Sequence, residues 1–148
     1  MKKNLLALSL SLIVISMASF ANPTSKEDPK AILAFNKMFT GATNVKWTNE
    51  QDGYLQVAFT WGDHRTIAFF DANAKFVGSI RGLFFKELPL SVIRSVNRTF
   101  NDPVVLQASE IYNEEGVRYS MELEYNHKLY KVKFDSLGSL IEKTRIKK

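Results

Sequence analysis

The chain between Tyr54 and Arg81 reappears in pattern 64 positions later, between Arg118 and Arg145, and in each copy strand-like stretches set core residues at every second position. A short helical signal precedes each block. Period two sends alternate side chains to opposite faces of a strand, so each block predicts antiparallel strands with one buried face. A chain with this pattern twice, and a helix before each, must solve the same burial problem two times over.

The helix signals are specific at their starts. Asp28 places a carboxylate where free backbone amides need an acceptor, and Pro29 takes the first helical position, where its missing N–H costs nothing. Ile32, Phe35 and Phe39 follow at helical spacing, with Leu33 and Met38 on the flank, until Gly41 stops the run. The second helix starts at Leu88-Pro89. Val92, Ile93, Val96 and Phe100 form its apolar stripe, and Asn101-Asp102-Pro103 ends it.

The alternation also fixes register. Tyr119, Met121, Leu123 and Tyr125 alternate with Ser120, Glu122 and Glu124, and after a turn at Asn126-His127 the chain returns as Tyr130, Val132 and Phe134 between Lys131 and Lys133. A two-residue hairpin sets Glu122 opposite Lys131 on the wet face and Met121 opposite Val132 on the core face. In the first block Leu55, Val57, Phe59 and Trp61 hold the core positions. A Gly62-Asp63 turn follows, and Thr66, Ala68 and Phe70 return. Further turns at Asp71 and Asp135 lead into Phe76-Val77 and Leu140-Ile141, and Asn44 to Thr48 and Val104 to Tyr112 add one strand each. The predicted class is α+β: two tandem helix-plus-four-strand antiparallel meander units, helices packed on one face of a twisted sheet.

Residues 1–21 have the pattern of a secretory signal: Lys2 and Lys3, an apolar run from Leu5 to Met17, and small residues at Ser19 and Ala21. The expected product is a periplasmic or secreted chain cleaved near Ala21, with a first unit at 22–86 and a second at 87–148. The apolar run is short for a membrane span of about 20 residues. No cysteine is present, so neither a disulfide nor a lipid-modified cysteine can form, and packing must hold the fold. Without Lys2 and Lys3 the net charge is +3, spread along the chain except at the basic C-terminal stretch from Lys143 to Lys148. Such weak, scattered charge, with no recognised motif, argues against nucleic acid as a partner.

Phe39-Thr40-Gly41-Ala42, Val45-Lys46-Trp47, Asp52-Gly53-Tyr54, Ala68-Phe69-Phe70-Asp71 and Glu87-Leu88-Pro89 resemble the landmarks of exported bacterial PepSY-like proteins, a family similar to the β-lactamase inhibitor protein. The likeness spans nearly the whole chain after the signal and marks turns and packing positions. It implies two tandem PepSY-like α+β repeats, a scaffold that binds or inhibits other extracytoplasmic proteins, and no common catalytic residues. The chain departs from the family at two points. Ala74 stands where the turn usually has glycine, as Gly138 does in the second block, which predicts a differently shaped first turn. The missing cysteines separate the chain from the disulfide-bearing inhibitor.

The outward faces of the two blocks differ. Where the second has Ser120, Glu122, Lys131 and Lys133, the first has Gln56, Ala58, Ile67 and Phe69, with Tyr54 and Thr60 alongside. A solvated sheet face resembles the second block, so the first suggests a covered or binding face. Three explanations stand: a partner or self-association surface; a loop, Gly82 to Glu87 with Phe84 and Phe85, folded over it; or strand faces opposite to those assigned. Trp47, near a strand start, is a candidate rim anchor beside these residues, whereas Trp61 belongs to the core face.

The remaining residues with chemical potential fit structural roles. His64 and His127 fall at hairpin tips without a ligand set around them, so no metal site is expected. Asp71 and Asp135 recur in equivalent turns, where a carboxylate accepts backbone amides. No nucleophile elbow, zinc-protease helix, paired acid and base, or phosphate loop is present, so neither catalysis nor a cofactor is expected. The expected function is an exported soluble module recognising or inhibiting an extracytoplasmic protein. The alternatives are a self-associating structural envelope protein, such as a homodimer, and a binder of a small apolar or glycan ligand on the sheet with Tyr54 and Trp47 as stacking groups.

Overall fold

The computed structural model describes residues 28–49 and 53–146. The expected signal segment, Asp52 of the Asp-Gly-Tyr landmark and the last two lysines lie outside these residues. The element order is α1 (Pro29–Met38), β1 (Thr43–Asn49), β2 (Leu55–Trp61), β3 (His64–Phe70), β4 (Phe76–Leu83), a 3₁₀ turn (Phe85–Glu87), α2 (Leu90–Thr99), β5 (Val104–Asn113), β6 (Gly116–Tyr125), β7 (Lys128–Asp135) and β8 (Leu140–Ile146).

All eight strands form one antiparallel sheet in sequence order, β1 to β8. The link that sequence left undetermined is β4 to β5, which pair from Gly78–Asn113 through Leu83–Ala108. The layout is therefore one eight-stranded antiparallel sheet with two helices.

Asp28 caps α1, its Oδ1 accepting from the Lys30 amide at 2.9 Å. The buried stripe of α1 runs Ala31, Phe35, Phe39, one turn apart, which leaves Leu33 71% exposed on the other side. Phe35 and Phe39 pack on Val57, Phe59, Ala68 and Phe70, with ring centroids 4.9 Å apart for Phe35–Phe59 and 4.8 Å for Phe39–Phe59. These separations favour edge-to-face and tilted ring contacts. Helix α2 buries Val92, Val96 and Phe100 on Ala108, Met121, Leu123, Val132 and Phe134. The register carries Leu83 to Ala108 to Met121 and Ala68 to Ser79 to Tyr112, so both helices lie on the same face of the sheet.

The hairpin registers agree with the alternation. Met121 pairs with Val132 and Glu122 with Lys131, and in the first half Gln56 pairs with Phe69 and Ala58 with Ile67. The Ala74 turn departs from expectation, because it has the shape of the Gly138 turn. Asp71 Oδ1 accepts from the amides of Asn73 and Lys75, both at 2.9 Å, and Asp135 Oδ1 does the same for Leu137 and Ser139, at 2.9 and 2.8 Å. Ala74 adopts the left-handed backbone that glycine would, at φ 63° against 89° for Gly138, so the carboxylate-centred hydrogen bonds outweigh the cost of a Cβ there. His64 stands at the end of its hairpin, paired with Trp61 across the two-residue turn. It is the first residue of β3, directed to the helix side, with Nε2 3.5 Å from Glu87 Oε1.

Candidate functional site

The sheet face opposite the helices divides into two chemically distinct halves. On β6 to β8 it carries Ser120, Glu122, Lys131, Lys133 and Glu142. Lys133 and Glu142 are opposed in register and form an ion pair at 2.6 Å. The hydrogen bond and positive charge of Lys133 hold the Glu142 carboxyl below the ordinary value of 4.5.

On β2 to β5 the same face is built from two rows that cross the strands. One runs Gln56, Phe69, Gly78, Asn113; the next runs Ala58, Ile67, Ile80, Ile111. Side chains directly opposed in an antiparallel pair stand about 5 Å apart, so the row from Ala58 to Ile111 is a continuous contact line, whereas the row from Gln56 to Asn113 is interrupted at Gly78. A bulge in β4 opposite Phe69 and Phe70 inserts Val77 and bends the strand.

Between these rows lies a cleft of about 460 Å³, with Tyr54, Gln56 and Phe69 on one side, Ile80 and Ile111 on the other, and Asn113 at the end. Its volume falls within the range of about 300–1,000 Å³ typical of ligand and anchor pockets. Gly78 forms part of its wall because a side chain would not fit: a Cβ there would stand 2.6 Å from the Tyr112 carbonyl oxygen. A smaller depression of about 190 Å³ shares Ile80 and Ile111 with the first and continues toward Gln107, Glu122 and Lys131. The cleft thus opens into a groove running from the apolar half to the charged half. Its lining supplies apolar contact, with amides from Gln56 and Asn113 and the Tyr54 hydroxyl to fix orientation.

Six of the seven residues expected from sequence fall together. Gln56, Ala58, Thr60, Ile67 and Phe69 share the outer face, and Tyr54, 45% exposed, stands at its margin. Trp47 is not with them. Lys46 pairs with Ala58 and Trp47 with Val57, which directs the indole to the helix side. There it meets Phe35 edge-on at 5.5 Å and Phe70 at 5.8 Å. The loop from Gly82 to Glu87 does not cover the outer face either. Phe85 packs against the α2 core, and Phe84 lies 6.3 Å from the His64 ring while remaining 66% exposed. Trp61 does serve the core, edge-on to Phe39 at 5.4 Å, with Nε1 donating to the Thr40 carbonyl at 3.1 Å.

Sequence reasoning missed Gly78, Ile80, Ile111 and Asn113. Ile80 and Ile111 stand among glycine, serine and charged residues. Val77 and Ile80 in β4, and Val104, Val105 and Ile111 in β5, are spaced too irregularly to show alternation.

A second polar cluster lies on the helix side at the β4–β5–β6 junction. Arg81 Nη2 meets Glu110 Oε1 at 3.0 Å, and the Tyr119 hydroxyl donates to Glu110 Oε2 at 3.3 Å. Burial, reinforced by the negative charge of Glu110, pushes the Tyr119 phenol above its ordinary value. This arrangement joins the two helix cores through a charge-assisted network, a structural use of ionisable groups.

Solved structures share this architecture. A BLIP-like protein of Bacteroides fragilis superimposes with a TM-score of 0.71 at 21% identity, over 80% of this chain and 86% of that one. A protein of Bacteroides eggerthii, provisionally described as periplasmic, gives 0.71 at 18% identity over 80% and 88%. A DUF2874 family protein of Bacteroides ovatus gives 0.70 at 16% identity over 79% and 86%. The fold is therefore BLIP-like. No protein-family model matches the chain, and no curated protein sequence matches it significantly.

Proposed function

We propose that this chain is an exported, soluble binding module that recognises, and by occupying it restrains, an extracytoplasmic protein through the outer face of β2 to β5. The carrying observation is the contrast across one continuous sheet: an apolar cleft bounded by Phe69, Ile80 and Ile111 on one half, and charged, self-paired residues on the other. A sheet face with no partner gains nothing from isoleucine and phenylalanine in place of lysine and glutamate. The BLIP-like fold and the described periplasmic setting of one structural neighbour agree with a protein-binding role outside the cytoplasm. No helix among the described residues is long and apolar enough to cross a membrane. We also propose that the sheet arose by tandem duplication of a PepSY-like helix-and-meander unit, and that the function is binding rather than catalysis.

The test is Phe69→Lys and Ile67→Lys in the mature chain, with circular dichroism to verify folding. Specific loss of one partner on affinity capture from an envelope extract, with the variants still monodisperse by light scattering, supports the reading. Unchanged capture by both variants refutes it. A wild-type dimer that Phe69→Lys converts to monomer assigns the face to self-association instead.

A further inference from the structure

A single register row crosses six strands of the outer face: Lys46, Ala58, Ile67, Ile80, Ile111, Arg118. Its four central positions are apolar and the two end residues of this stretch, Lys46 and Arg118, are cationic; the next register partner of Arg118 is Asp135, whose Oδ1 accepts from the Leu137 and Ser139 amides. With strands spaced about 4.8 Å apart, the two end residues are separated by roughly 24 Å. Arg65, on the adjacent row opposite Thr60, adds a third positive charge beside Ile67. No carboxylate occupies the outer face of β1 to β4 among the described residues, whereas on β7 and β8 Lys133 is answered by Glu142. Arg118 does contact Glu115, at 2.8 Å, but both side chains are more than a third exposed, and such a surface pair is worth at most about 1 kcal/mol. An incoming carboxylate can therefore take its place.

We propose, resting on the binding role above, that the occupant of this face is an acidic protein segment laid across the strands. A large apolar side chain enters the cleft at Phe69 and Ile111, and carboxylates toward the two ends of the segment meet Lys46 and Arg118, with Arg65 between. The row supplies what such a segment needs, a desolvated apolar centre that carries the affinity and charged margins that set orientation and reject basic partners. At 1.5 Å per residue the row matches a helix of about 16 residues.

The probe is a pair of 16-residue, alanine-rich peptides with one phenylalanine and two leucines on a central stripe, labelled with a neutral dye. One carries two glutamates at each end and the other two lysines. Fluorescence anisotropy against the mature chain should show at least tenfold tighter binding of the glutamate peptide at low salt, with the gap narrowing as salt is raised. Lys46→Glu/Arg118→Glu should reverse the preference, while Lys37→Glu/Arg94→Glu, the same change in net charge placed on the helices, should leave it in place. Equal binding of both peptides, lost in Phe69→Lys, overturns the acidic-segment inference while leaving the binding face intact. So does a preference that the helix variant alters as much as the sheet variant. Binding of neither peptide also overturns it, and the binding role is then judged separately by the capture experiment.

Discussion

Ala74 and Gly138 occupy the same position in two equivalent turns with left-handed backbone, yet only at Gly138 does the space for a side chain vanish: a Cβ there would lie 2.5 Å from the Ser91 carbonyl oxygen. Helix α2 begins directly against its turn, and the Ser91 hydroxyl donates to the Ser136 carbonyl at 3.2 Å. Gly138→Ala should lower stability by about 2–3 kcal/mol, combining backbone strain with overpacking. Ala74→Gly should raise it by roughly 0.5–1 kcal/mol, since relief of strain exceeds the added flexibility of the unfolded chain. Urea denaturation of both variants checks the pair, and a neutral Gly138→Ala would show that α2 does not seat on this turn.

Phe69 and Phe70 are sequence neighbours on opposite faces. Phe70 is wholly buried beneath α1, so Phe70→Ala should cost about 3–5 kcal/mol. Phe69 lines the open cleft, and Phe69→Ala should cost about 1 kcal/mol or less. A larger loss for Phe69→Ala than for Phe70→Ala in equilibrium unfolding would mean that the faces are assigned the wrong way round.

Gly78 pairs with both Phe69 and Asn113 and so stands where the first four strands join the last four. Gly78→Ala should destabilise by about 1–3 kcal/mol, because the new methyl meets backbone that can yield only by parting β4 from β5. Amide exchange should rise first around Ser79 and Tyr112. Unaltered protection there would contradict the close approach.

Tyr119 predicts alkaline behaviour. Its folded-state pKa lies above the ordinary value of 10.0, through burial first and Glu110 second. The folded protein therefore holds this proton more tightly than the unfolded chain. The associated stability is fully present below about pH 10 and is lost as pH rises through the folded value. Glu110→Gln should shift Tyr119 ionisation to lower pH, still above the ordinary value because burial remains. Arg81→Met should shift it upward. Absorbance titration at the phenolate band, with Tyr119→Phe as reference, reads both, and movement in the opposite sense for either variant would exclude the described contacts.

Much of the fold was written in local pattern. The β2–β3 and β6–β7 registers followed from alternation, because a one-residue slip would send Phe59 or Met121 to the wet face. Asp28-Pro29 fixed the start of α1 for an equally local reason. The β4–β5 pairing was not legible, since Gly78, Ser79, Arg81 and Gly82 break alternation and their partners lie some 30 positions away. For that reason only part of the site could be anticipated. Tyr54, Gln56 and Phe69 come from the alternating hairpin, but Ile80, Ile111 and Asn113 complete the cleft through the non-local pairing. Trp47 was misplaced because the irregularity in β1 between Thr43 and Lys46 obscures which face each residue takes.

The strictly sequential strand order has a geometric consequence. Adjacent strands rotate by about 20–25°, so over the seven steps from β1 to β8 the sheet turns by roughly 150°. A flat, rigid body pressed against it can follow only the few strands that share its direction. A slender body running along the axis of rotation meets one strand after another. The handed twist of the scaffold thus selects for the shape of a visitor before any side chain tests its chemistry.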